Sequence, residues 1–141
     1  EGMFAIRVAD WMRENASGKY KGSGKYLSSE GSETEKNIWG RRARWVSMQG
    51  DKDGEKIGIA IFNHPESVNY PTYWMTRAYG LFSADPLGQG DFQRKLKMEN
   101  PQDFKLALNA GETAHFRFLI IIYEGTRTKE QLERRFERYL Q

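Results

Sequence analysis

Ala43-Arg44-Trp45-Val46-Ser47-Met48-Gln49-Gly50-Asp51-Lys52-Asp53-Gly54-Glu55-Lys56-Ile57-Gly58-Ile59-Ala60-Ile61-Phe62 decides the fold. An apolar run over residues 43–48 meets a Gly50-Asp51-Lys52-Asp53-Gly54 turn. A second run over residues 57–62 then returns with Ile57, Ile59 and Ile61 on one face. Two such runs around a glycine-aspartate turn read as an antiparallel hairpin.

Upstream, Phe4, Ile6 and Val8 alternate with Ala5 and Arg7, the pattern of a half-buried strand. Residues 15–36 change to Ser, Gly, Lys and Glu, with glycines at Gly18, Gly22, Gly24 and Gly31. This reads as one long exposed loop. Downstream, strands are expected at 73–79 and 81–83, broken by Gly80, and Pro86, Gly88 and Gly90 mark a turn region. Phe104, Leu106 and Leu108 alternate up to a turn at residues 109–112. Residues 114–123 form the strongest strand, apolar on both faces in its second half, as a central strand covered on both sides would be. The pattern then switches once: Thr128 and Gln131 form a capping box, and Leu132, Phe136 and Leu140 follow at helical spacing. The fold class is mainly β, an antiparallel β-sandwich with one C-terminal helix over residues 128–140.

The chain has 141 residues, enough for a single domain with a real core over residues 1–141. Aromatics make up 13%, so Phe, Tyr and Trp must fill much of that core. The 22 basic residues nearly balance 19 acids, which argues against a segregated nucleic-acid-binding face. The longest apolar run, residues 118–123, is far short of the ~20 residues a spanning helix needs, so no membrane insertion is expected. Cysteine is absent, which excludes disulfides and thiolate metal sites but leaves the compartment open, a periplasmic or secreted one included. The opening at Glu1 suggests a cut piece of a longer polypeptide.

Function points to the loop and strand around His64 to Phe82, which hold one of two histidines and one of four tryptophans. His64 reads either as a proton-transfer group or as a loop histidine bonded to backbone. On an extended strand, Tyr73, Met75, Arg77 and Tyr79 share one face and Trp74 the other, where a core role is expected for its ring. Rings that stack on a pyranose beside a guanidinium suit a sugar or carboxylate ligand. Trp39, Arg41 and Arg42 open a second cluster, reading as an anion or sugar site or as arginines packed on aromatics. The candidate set is therefore His64 for catalysis, with Arg77, Asn69, Tyr73, Tyr79, Trp39, Arg41, Arg42 and Trp74 for substrate binding. No metal or other cofactor is expected: the two histidines lie on different expected strands, and redox sites need several converging ligands.

Three blocks carry a family resemblance: Trp39-Gly40-Arg41-Arg42, Gly58-Ile59-Ala60-Ile61-Phe62-Asn63-His64-Pro65, and the run from Tyr73-Trp74-Met75-Thr76-Arg77 to Asp85-Pro86-Leu87-Gly88. In these the chain resembles the C-terminal part of the bacterial proteins labelled methane oxygenase PmoA. It departs at Met75, where relatives often carry His, and at Asp85, where Asn is usual. The label names an integral membrane subunit, which this composition does not fit, so no oxygenase activity is expected. The resemblance implies a protein of the galactose-mutarotase or supersandwich type, and so a carbohydrate-active hydrolase, lyase or epimerase. The alternative is a non-catalytic sugar-binding or protein-interaction domain. Half of a supersandwich would expose apolar surface and would self-associate or pair with the remainder of its parent chain.

Overall fold

The computed structural model describes residues 3–14 and 21–141. Asp53 and Gly54 take φ of 55° and 91°, and two consecutive positive φ values suit the twist of a tight hairpin. They join β3 (Trp45–Lys52) to β4 (Glu55–Asn63). The turn is thus tighter than residues 50–54, and Gly50 stays in the ladder opposite Ile57. β2 (Lys25–Ser28) adds to β3, and β7 (Phe118–Glu124) adds to β4. The result is a four-stranded antiparallel sheet ordered β2-β3-β4-β7. β1 (Phe4–Arg7), β6 (Leu81–Asp85) and β5 (Tyr73–Thr76) make a three-stranded antiparallel sheet ordered β1-β6-β5.

Alternation along the strands assigns each residue to a layer. Val46, Met48 and Ile61 of the larger sheet meet Trp74, Phe82 and Ala84 of the smaller, all buried between the two. Tyr26 joins them and donates its hydroxyl to the carbonyls of Arg77 (2.8 Å) and Leu81 (3.1 Å), tying β2 to the turn between β5 and β6. Gly80 makes that turn at φ 90°, with Val8 packed where a Cβ would stand.

Helices cover the two outer faces. The helix α3 (Lys129–Tyr139) starts with the expected capping box between Thr128 and Gln131. It buries Leu132 and Phe136 against Trp45, Ala60 and Phe62. Burying each such side chain contributes about 1.5–3 kcal/mol. A shorter helix, α2 (Gln89–Lys95), lays Phe92 on Tyr73 and Met75 of the smaller sheet. One further turn, α1 (Glu35–Ile38), precedes β3. The architecture is a β-sandwich with a helix on each outer face.

Five expectations change. The strand expected over residues 73–79 ends at Thr76, and residues 77–80 turn into β6, so Arg77 and Tyr79 are not on the strand face of Tyr73 and Met75. The stretch 15–36 is not one loop: β2 and the start of α1 lie within it, and residues 15–20 fall outside the described residues. The turn region at residues 86–90 begins α2. Residues 104–108 form no strand, and residues 105–113 are exposed throughout. The strand expected over residues 114–123 is regular only as β7, which lies at the edge of its sheet, not at its centre. Ile120 and Ile122 on one of its faces are 42% and 73% exposed.

Candidate functional site

Arg42 is drawn toward the smaller sheet by an antiparallel bridge to Tyr73. Its guanidinium carbon lies 4.6 Å from the centre of the Tyr73 ring. One terminal nitrogen donates to the carbonyls of Pro71 (2.9 Å) and Asn69 (3.3 Å). The other donates to Asn69 Oδ1 (2.8 Å) and Gln89 Oε1 (2.9 Å). Asn69, at φ 55°, donates in turn to the Pro86 carbonyl at 2.7 Å. The Tyr73 hydroxyl accepts from Gln93 Nε2 at 2.8 Å and its ring stacks on Phe92. Arg42, which the sequence places in a second cluster with Trp39 and Arg41, converges instead with Asn69 and Tyr73, on one another and on α2. Their polar atoms are spent fastening the proline loop to the helix.

His64 stands elsewhere. It follows β4, where its backbone N–H donates to the Arg117 carbonyl at 3.0 Å. Its ring packs edge-on to Tyr139 of α3, with centroids 5.2 Å apart. Nδ1 accepts the Glu66 backbone N–H at 3.2 Å, and the Glu66 carboxylate pairs with Arg117. Burial pushes the Tyr139 hydroxyl above the ordinary phenol range, opposed by the nearby Arg117 charge, so that hydroxyl stays protonated at neutral pH. His64 thus lies on the α3 side, whereas Tyr73 packs beneath α2. Among the described residues, no hydrogen bond, ion pair or ring contact joins His64 to Arg77, Asn69 or Tyr73.

Trp74 is completely buried between the sheets and its indole N–H donates to the Ala43 carbonyl at 2.9 Å. The core role expected for its ring holds, and a ligand would reach it only by opening the sandwich. Tyr79 carries Arg7 over its ring at 5.2 Å, and Arg41 is exposed.

One cluster stays open. Trp39 ends α1 and is half-buried, its ring edge-on to Phe92 at 5.1 Å. Arg77 approaches the same ring at 5.9 Å and Lys95 of α2 at 6.0 Å. Among the described residues neither cation has a carboxylate within ion-pair distance, and the buried Trp39 Nε1 has no hydrogen-bond partner. Lys95, Gln89 and Gln93 were not anticipated, because the Gly88-Gln89-Gly90 start of α2 reads as a turn. Phe92 and Leu96, four residues apart, were the one helical signal there.

Two open grooves lie away from this cluster. A groove of about 650 Å³ runs between β7 and α3. Another of about 460 Å³ is lined by Glu14, Tyr26 and Gln49 among others. Glu14 is only 3% exposed; burial pushes its carboxyl above the ordinary range, although it accepts the Glu35 backbone N–H at 2.7 Å. Among the described residues, no three His, Asp or Glu side chains converge as metal ligands would, and no helix is long and apolar enough to cross a membrane.

No curated protein and no solved structure matches the chain. The model of DUF6807, a family of unknown function, matches residues 1–137. The chain therefore belongs to the DUF6807 family.

Proposed function

We propose that this chain is a carbohydrate-binding domain whose ligand is an acidic sugar held at Trp39, Arg77 and Lys95. The supporting observation is the half-buried Trp39 indole with two cations beside it, Arg77 and Lys95, that have no carboxylate partner among the described residues. A uronic-acid residue supplies a carboxylate for Arg77 and Lys95 and an apolar face for the exposed part of the indole. The resemblance to the PmoA-labelled, supersandwich-type proteins supports the same ligand class. Binding without turnover is favoured over catalysis, since His64 packs against α3 while this cluster packs against α2.

Thermal unfolding against a panel of neutral and uronic-acid oligosaccharides tests this, because a ligand of the folded state raises its stability. Acidic sugars are expected to raise the midpoint, Trp39→Ala and Arg77→Ala to remove that rise, and His64→Ala to leave it intact. A panel without any shift, or shifts that survive Trp39→Ala, would overturn the proposal.

A further inference from the structure

β7 reads Phe118-Leu119-Ile120-Ile121-Ile122-Tyr123-Glu124 and has a sheet neighbour on one side only. The backbone bonds at its two ends identify which groups are left over. Gly125 donates to the Lys56 carbonyl and His64 donates to the Arg117 carbonyl. In an antiparallel ladder such pairs alternate, so Leu119, Ile121 and Tyr123 also turn their N–H and C=O groups toward β4. Phe118, Ile120, Ile122 and Glu124 turn theirs to the open edge. Exposed edges are normally blunted by lysine, proline or a bulge. This one carries no lysine or proline, and Ile120 and Ile122 stand exposed along it.

The groove beside the edge has a sign. Its walls are Ile120, Ile122, Tyr123 and one flank of α3 that presents Arg134, Arg135 and Arg138, joined by Arg127 from the preceding loop. Among the described residues none of these four arginines lies within ion-pair distance of a carboxylate. α3 covers the face of the sheet that Leu119, Ile121 and Tyr123 share, whereas Ile120 and Ile122 point to the other face. A strand laid against β7 would therefore find arginines over one of its faces and isoleucines beside the other.

We infer that the β7 edge binds an extended segment of another polypeptide that alternates acidic and apolar residues, adding it to the sheet as a fifth strand. Main-chain bonds to Ile120 and Ile122 supply the register, the α3 arginines take its carboxylates, and its apolar residues cover the exposed isoleucines. A second copy of this chain fits the edge poorly. Two β7 strands paired about a twofold axis would bring their arginine rows to the same seam, where like charges repel. The stretch of residues 104–108, exposed from Lys105 onward, alternates its apolar residues with that lysine, of the wrong sign for the groove.

The test uses the full chain and a short fluorescent peptide of alternating valine and glutamate, followed by anisotropy and amide hydrogen exchange. Expected are saturable binding, weakened roughly tenfold or more by Arg134→Glu with Arg138→Glu, and slowed exchange at Ile120 and Ile122. Ile122→Lys, at an exposed position, should weaken binding while the unfolding midpoint stays put. Equal binding of a valine-lysine peptide, or protection that leaves β7 untouched, would overturn the inference. So would sedimentation showing that the chain alone is a dimer whose interface Ile122→Lys breaks.

Discussion

Ile61 and Ile120 face each other directly across the β4–β7 ladder, yet Ile61 is fully buried while Ile120 is 42% exposed. The smaller sheet covers β4 but reaches β7 at its first residue, where Phe4 stacks on Phe118, and leaves Ile120 and Ile122 open. Ile61→Ala should therefore cost about 2–4 kcal/mol, the price of an unfilled core cavity. Ile122→Ala, at the 73% exposed end of the same strand face, should stay within about 0.5 kcal/mol. Urea midpoints of the two variants measure the contrast, and equal losses would mean that β7 is covered in solution.

Arg42 links the proline loop, β5 and α2 through its two terminal nitrogens. Arg42→Ala is expected to destabilise by about 2–3 kcal/mol, because hydrogen bonds from a charged donor are lost and their acceptors stay unpaired. Arg42→Lys should recover little, since an ammonium lacks the planar fork that reaches Pro71, Asn69 and Gln89 together. A lysine variant as stable as the parent in chemical denaturation would show that the fork is not what holds the loop.

These two contrasts also mark how far the sequence could be read. The hairpin and α3 were legible because their signals are local: Asp53-Gly54 specifies its own turn, and Thr128 with Gln131 its own cap. β2 was not, because Lys25-Tyr26-Leu27-Ser28 sits among glycines and serines. Its place is fixed by Tyr26 reaching Arg77 and Leu81, some fifty positions away. α2 is short and opens on Gly-Gln-Gly, and its helix is held by tertiary contacts of Gln89, Phe92 and Gln93. The apolar character of both faces of β7 was real, but it belongs to an edge strand, covered by α3 on one face and exposed at Ile120 and Ile122 on the other. The expected grouping of His64 with Arg77, Asn69 and Tyr73 is not what the structure brings together. Period-two alternation places Tyr73 and Met75 on one strand face, but β5 ends at Thr76, so it does not govern Arg77 or Tyr79, and it carries no information on which outer layer receives His64.

His64 offers its Nδ1 to the Glu66 N–H and its ring edge to Tyr139. His64→Asn keeps a short polar acceptor but loses the ring contact, so a loss of about 1 kcal/mol is expected. If His64 instead transfers protons in a reaction, the variant would abolish turnover of a hydrolysable sugar substrate with stability unchanged. Paired denaturation and activity measurements separate these outcomes.

Glu14 provides a pH dependence with a definite sign. Its carboxyl is raised above the ordinary value of 4.5 chiefly by burial, with a smaller contribution from the Glu35 charge, while the Glu35 N–H and Lys36 pull it back down. Between the unfolded and folded values, the folded state holds a proton that the unfolded chain has released. The stability associated with the protonated acid is therefore fully present below pH 4.5 and is lost as pH rises through the folded value. Glu14→Gln keeps an oxygen for the Glu35 N–H without a charge to bury, so it should be more stable than the parent at neutral pH. The gap between the two proteins should shrink on acidification. Urea midpoints of both proteins across the mildly acidic range measure it. A gap that stays constant or widens as pH falls would mean that Glu14 is ionised in a solvated setting, in conflict with its buried position.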